Sequence, residues 1–575
     1  MIRSLSARLL LVMALLISLS ACSGRDQSLV ADIVLLNGGI YTVDDERRWV
    51  EAVALVDGEI IAVGSNESIA VFVTDATEVI DLDGGMALPG LHDAHTHPLE
   101  GGYLLASCDL SEVTESVEAV LEFIRRCVAS NDDEWVVVLG LDLSLFGING
   151  PDKSMLDEIA PDRLFWIEAA DGHSITVNQR VLDLAGITSE TPDPPEGVIE
   201  RRDGSNEPNG TLRESAQEIV AALRPERHLD ESIVTMRVAI EATNAVGVTS
   251  LIDAWAGELE LQTYQAIERS GNLSVRIVNS IIDEGVFEKH VGEDLERVLA
   301  ARDDYASDLI NNDSIKIMVD GVLEGETAAL VDEYLGLGHK GVLNHASDDL
   351  NARVARYVGM GLQVHMHTIG DGAARAGLDA IEYASEVHAD NPLASDLRHH
   401  LSHLQLVHPD DIARFAELGV TANFTGAWAY LSDWVLGLNL PVIGQERVDR
   451  MYPIKSIIEA GGTVVGGSDW IYGPLNPLDS MEVMITRQDP NDTSAPVGNI
   501  RDSIDLATAI DVFTINPAWL MHHEDKVGSI EVGKRADIAV LDKNLFEIPA
   551  TSINEASVLV TIFDGRVVYR KPEAN

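Results

Sequence analysis

Two pairs of histidines stand one residue apart in this chain: His95 and His97 in "HDAHTHP", and His365 and His367 in "LQVHMHTIGDG". Alternate side chains of a strand share a face. Each pair can therefore offer two neutral imidazoles, the commonest metal ligand, from one side. On that alternation Asp93, His95 and His97 point together and His92 points away. A single His-x-His suits a structural role as well, and three further stretches add the weight. "SIKIMVDGVL" sets Lys316 inside an otherwise apolar strand, where lysine is rarely buried without a role. Burial lowers its pKa and frees the neutral amine; the alternative is an edge lysine whose tip reaches solvent. "RHHLSHLQL" sets His399, Leu401 and His403 on one face and His400 on the other, with His400 and His408 readable as surface residues. "GTVVGGSDW" ends an apolar strand with Asp469, which in isolation would read as a helix cap. Read in order, five strand ends carry His-x-His, Lys, His, His and Asp. Such a set can hold a cation through nitrogen and oxygen donors and keep a carboxylate for proton transfer.

The elements that must position these residues are short apolar runs alternating with helical stretches. "GVTSLIDA", "SIKIMVDG", "GLQVHMHTIGDG", "RHHLSHLQL", "GVTANFT" and "GTVVGGSD" are the clearest runs. Strands alternating with helices predict a parallel sheet with crossovers. Several runs end in ionisable residues followed by glycine, as expected of an α/β protein of the (β/α)8 TIM-barrel type, whose chemistry sits at the C-terminal ends of its strands. A doubly wound open sheet is the alternative, but no glycine-rich phosphate loop follows the first strand. "ADIVLLNGGIYTVD" and "AVALVDGEIIAVG" near the start, and "ADIAVLDKN" and "ASVLVTIFDGRVVYR" near the end, read as short strands with Asn-Gly and Asp-Gly turns. They predict one small β domain built from residues 29–86 and 524–572, two unrelated caps being the other possibility. The barrel then occupies 87–523. Residues from about 103 to 230 are too many for a loop and predict an inserted subdomain.

The first residues have another character. "MIRSLSARLLLVMALLISLSAC" carries Arg3 and Arg8, an apolar stretch from Leu9 to Leu19, and small residues before Cys22. That is the layout of a secretory signal over 1–21, too short to span a bilayer comfortably, followed by a polar linker over 22–28. "LSAC" resembles a bacterial lipoprotein signal, which implies cleavage before Cys22, lipidation of its thiol and anchoring to a membrane; an ordinary signal peptide or an uncleaved anchor is the alternative. Ser23 after the cysteine suggests an outer-membrane location facing the periplasm. Cys108 and Cys127 could pair in that oxidising compartment, and two thiols are too few for a thiolate cage. The net charge of −54 repels phosphate backbones, so nucleic-acid binding is not expected.

From about residue 30 to 570 the chain resembles the amidohydrolase superfamily, specifically amidohydrolase family 3, which includes N-substituted formamide deformylases. The resemblance rests on "PGLHDAHTHP", "DGHSITVN", "IKIMVDGVLEGETAAL", "VHMHTIGDGA", "RHHLSHLQLVHPDDIARFAELGV", "GGSDW" and "GSIEVGKRADIAVLD". It implies a (β/α)8 barrel with a β-sandwich made from both chain ends, and one or two divalent ions, Zn2+ by preference. His95, His97, His367 and His403 match metal ligands, with His365 left as a neighbour. Lys316 matches a position that is a carbamylated, metal-bridging lysine in related enzymes. Asp469 matches the eighth-strand acid. Asp171 and His173, and Asp320 after the lysine, are lesser candidates on the substrate side. His92 stands where the family usually has an apolar residue. Glu326 stands where relatives often have arginine, and with Glu324 it argues against a negative substrate group at that end. The expected activity is hydrolysis of a small non-peptide amide or N-acyl compound by activated water, Asp469 moving the proton. Ester, lactone or carbamate hydrolysis at the same site is the alternative, and a non-catalytic solute-binding lipoprotein is a further one. Substrate identity and oligomeric state stay open.

Overall fold

The computed structural model describes residues 30–572 apart from 107, 111–112, 131–133, 147–148, 171–173, 195–196, 222, 224–227, 284–290 and 493. The leader, the linker and the candidates Asp171 and His173 lie outside the described residues.

Eight parallel strands form the central sheet: β1 (Leu91–Thr96), β2 (Val248–Ala256), β3 (Arg276–Ile282), β4 (Ile310–Met318), β5 (Gln363–Thr368), β6 (His400–His403), β7 (Thr421–Thr425) and β8 (Val464–Gly467). Each pairs with the next in parallel register. Just beyond β8 the chain returns to β1, where Asp469 N–H donates to the His95 carbonyl at 2.8 Å and His97 N–H to the Trp470 carbonyl at 2.9 Å. The sheet thereby closes into a barrel. Strands buried on both faces read as near-continuous apolar runs, and all seven residues of β3 are buried. Amphipathic helices such as Ser347–Gly359 and Asp371–Val387 lay their apolar stripes against the outside.

Both chain ends meet in a two-sheet sandwich. One sheet orders Glu59–Gly64, Ala52–Val56, Ile33–Leu36 and Glu78–Asp81. The other interleaves Trp49–Val50, Gly39–Tyr41 and Met86–Pro89 from the start with Ile538–Leu541, Val558–Phe563 and Arg566–Arg570 from the end. Ile33, Leu35, Val53 and Leu55 from one sheet pack with Ile40, Ala87, Ile538 and Ile562 from the other. Met86–Pro89 pairs with both Gly39–Tyr41 and Ile538–Leu541, so the first barrel strand begins at Leu91, a few residues later than the sequence suggests.

Between β1 and β2 stands a six-stranded sheet running from Gly197–Arg201 to Cys108–Asp109, covered by the helices Val117–Ser130 and Gln179–Ala185. Cys108 and Cys127 form a disulfide with Cα atoms 5.9 Å apart, joining the edge strand to the first of these helices.

Candidate active site

β1 ends in His95 and Thr96, and the next residue is His97. Its position against β8 is set by close contact. A Cβ on Gly467 would lie 2.5 Å from His95 Cβ and 2.8 Å from His95 N, so only glycine lets the two strands approach. Asp93 ties the same pair together by accepting from Ser468 N–H at 2.9 Å and Ser468 Oγ–H at 2.5 Å. Two polar side chains reach the rim through unusual backbone. His403 has φ 73° and Asp469 φ 53°, a left-handed region that costs a non-glycine residue energy and recurs at functional sites.

These turns converge on Asp469. Its Oδ1 lies 3.1 Å from His97 Nε2 and 3.4 Å from His95 Nε2, and its Oδ2 lies 3.6 Å from His403 Nδ1. Lys316 Nζ is 3.4 Å from His95 Nε2. The His367 ring lies 4.6 Å from that of His403, and its Nε2 donates to the Gly321 carbonyl at 3.2 Å. Donor atoms of His95, His403 and Asp469 lie within 4.8 Å of one another. Lys316 is 1 % exposed; it is not an edge lysine.

Burial sets the protonation states. Desolvation pushes His95 down to about 3, aided by the Lys316 charge, and His367 down to about 4, so both imidazoles are neutral with a lone pair available. Desolvation alone pulls Lys316 down to about 7, against the pull of Asp469, which leaves a large share of neutral amine at neutral pH. Burial pushes the Asp469 carboxyl up, but the hydrogen bond from His97 and the close imidazoles of His95 and His403 hold it well below the usual carboxylate range. Neutral imidazoles, an ionised carboxylate and a deprotonable amine are the donor chemistry of a divalent cation that accepts nitrogen and oxygen ligands.

Other expectations change. Asp320 is buried and spends its carboxylate on three backbone N–H groups, of Ala329, Ile369 and Gly370, at 2.9–3.0 Å. It fixes the loops after β4 and β5, and its nearest approach to the site is 3.8 Å from His367 Nε2. His400 is fully buried rather than on the surface. It stacks on His365, ring centroids 4.0 Å apart. Strict alternation misassigned this segment: Ser402 also bonds His365, at 2.6 Å, and the left-handed turn at His403 brings that residue to the same interior. His92 is buried, its Nδ1 donating to the Gly90 carbonyl at 3.1 Å. Two aromatics also border the histidines. Trp428 stacks on His403 at 5.6 Å, and Tyr472 meets His97 edge-on at 5.9 Å; both come from loops after strands, where no spacing marks them.

The sequence profile of the Amidohydrolase family matches residues 78–569. The chain is 28 % identical over 550 residues to Protein LONG AFTER FAR-RED 3 of Arabidopsis thaliana, covering 94 % of this chain and 92 % of that one. It is 26 % identical over 555 residues to the N-substituted formamide deformylase of Arthrobacter pascens, covering 94 % and 98 %. A crystal structure of an uncharacterized metal-dependent hydrolase from Pyrococcus horikoshii OT3 superposes with a TM-score of 0.73 at 22 % identity, over 90 % of this chain and 99 % of that one, a likeness of fold. Profile, barrel and the five-strand donor set agree: the chain belongs to the amidohydrolase family.

Proposed function

We propose that this protein is a metal-dependent amidohydrolase that cleaves a small non-peptide amide or N-acyl C–N bond. The observation that carries the reading is the convergence of His95, His97 and His403 on Asp469 within 3.1–3.6 Å, with Lys316 beside His95. His95, His97, His367 and His403 would hold one or two divalent ions, Zn2+ by preference, with Lys316 bridging as a carbamate. A divalent metal, when bound in such a site, makes hydroxide available near neutral pH and polarises a carbonyl.

Asp469 takes the proton that the attacking water loses and returns it to the leaving nitrogen, so that the products are a carboxylic acid and an amine. Its low proton affinity in the fold suits a group that must begin ionised. Trp428 and Tyr472 flank the histidines and offer apolar walls to the substrate. Glu324 and Glu326 on the loop after β4 disfavour an anionic substrate group there. Similarity to an enzyme named for deformylating N-substituted formamides supports the choice of a C–N bond. Export and lipid anchoring through Cys22 belong to the same reading, and the Cys108–Cys127 disulfide is in keeping with an oxidising compartment.

The test is turnover of a panel of N-acyl amines, esters, lactones and carbamates by purified protein, with and without chelator. Asp469→Asn should keep its metal and lose about 10²- to 10⁴-fold in turnover. Near wild-type hydrolysis by that variant removes Asp469 from the reaction, and a preference for esters over amides reassigns the bond.

A further inference from the structure

On the other edge of the His95 ring a second layer of imidazoles fills the barrel. His365 Nε2 lies 3.0 Å from His95 Nδ1 and 2.6 Å from Ser402 Oγ. His365 Nδ1 lies 2.9 Å from Ser280 Oγ, which is itself 2.9 Å from Ser314 Oγ. The flat face of His365 rests on His400, the planes 28° apart. His400 Nδ1 faces Asn423 Nδ2 at 3.2 Å, and the same amide donates to the Ala94 carbonyl at 2.8 Å. Every one of these side chains is buried.

The proton positions follow from the partners. A ligating nitrogen must carry a lone pair, and the His95 nitrogen that faces Asp469 and Lys316 is Nε2. The His95 proton then sits on Nδ1, where the acceptor in reach is His365 Nε2. His365 in turn carries its proton on Nδ1 and donates it to Ser280, and its one free lone pair, on Nε2, is shared between His95 Nδ1–H and Ser402 Oγ–H. A metal-bound histidine usually hands its second N–H to a carboxylate, a carbonyl or water; here the acceptor is another neutral imidazole, itself oriented by two hydroxyls and a stacked ring.

We propose that His365 is a positioning residue: it holds His95 in the tautomer that turns Nε2 toward the metal. The inference rests on the reading of the rim as a metal centre, but assigns a role to a histidine outside the ligand set. It also accounts for four buried side chains outside the ligand set: Ser280, Ser402, His400 and Asn423.

The test compares Zn2+ affinity by chelator competition, and the visible spectrum of the Co2+-loaded full chain, for the wild type, His365→Gln and His365→Phe. Gln sets its Oε1 near the place of Nε2 and keeps the acceptor; Phe keeps the flat ring and removes it. Loss of such an outer partner typically costs about 10- to 100-fold in metal affinity, expected for His365→Phe together with a changed Co2+ spectrum. His365→Gln should stay much nearer the wild type. Equal losses in both variants would mean a packing role, and wild-type affinity in His365→Phe would mean none; either overturns the proposal. If His365→Phe does not fold, Ser280→Ala against Ser280→Thr repeats the comparison one bond further out, and equal affinities there overturn it. A wild-type chain that binds no Zn2+ sinks the metal reading itself, an outcome distinct from tight wild-type binding indifferent to residue 365.

Discussion

Lys316 is the residue whose chemistry depends most on its surroundings. An ammonium buried between β3 and β5 beside an imidazole would be costly as a bare cation. Desolvation brings its pKa to about 7, so the neutral amine is available to take up carbon dioxide as a carbamate. Lys316→Ala should therefore bind less metal, measured by elemental analysis, and short carboxylic acids should restore part of it by supplying the missing oxygens. Undiminished metal content in that variant would contradict the bridge. The paired result for Asp469→Asn, metal kept and turnover lost, separates the residue that holds from the residue that moves protons.

At the scale of elements the site depends on how closely β8 lies against β1. Gly467 is the contact point, because a methyl group there would meet the backbone and Cβ of His95. Gly467→Ala must push the strands apart, and overpacking of this kind costs about 1–3 kcal/mol. The expected result is a lower melting temperature together with weaker Zn2+ binding, since His95 moves with β1. Loss of stability without loss of affinity would show that the rim tolerates the shift. The inserted subdomain has its own constraint in the Cys108–Cys127 bridge, which closes a sequence separation of 19 residues. Removing a cross-link over a loop of this length costs about 3 kcal/mol. Cys127→Ser should lower the urea midpoint of the insertion by a corresponding amount, followed through the fluorescence of Trp135 and Trp166; an unchanged midpoint would show that the bridge contributes nothing to it.

Across the whole molecule, the unusual feature is the number of neutral buried histidines. Burial takes His92 down to about 3 and His399 and His523 to about 4, in addition to those of the site. In the unfolded chain each would charge near pH 6.5. Below that pH the unfolded state takes up more protons than the fold, so stability is lost as pH falls from 6.5 toward 4. The carboxyls divide: burial raises Asp93, Asp253 and Asp479 to about 6, Asp320 to about 7 and Glu260 to about 8, five groups that act the other way, while their partners hold Asp469 and Asp564 low against burial. The histidines therefore set the balance, and the melting temperature of metal-free protein should fall steadily between pH 7 and 5. A flat or rising melting temperature over that range would show that the buried imidazoles do not govern it.

The sequence alone determined the strand-helix alternation, the joining of both chain ends in one β domain, and the five segments that meet at the candidate site. It could do so because apolar runs, turn residues and ionisable strand ends are local features, readable from side-chain type and spacing. The tertiary structure decided the rest. Residue alternation put His403 and His400 on opposite faces, and only the left-handed backbone at His403 shows that both serve the barrel interior. His365 looked like a bystander because the group it touches, His95, is 270 positions away. Asp320 gave no sign that it joins two loops, because its three backbone partners become visible only when the loops after β4 and β5 are folded together. A hydrogen bond between distant segments leaves no trace in the spacing of either one, so partnership, tautomer and depth belong to the fold.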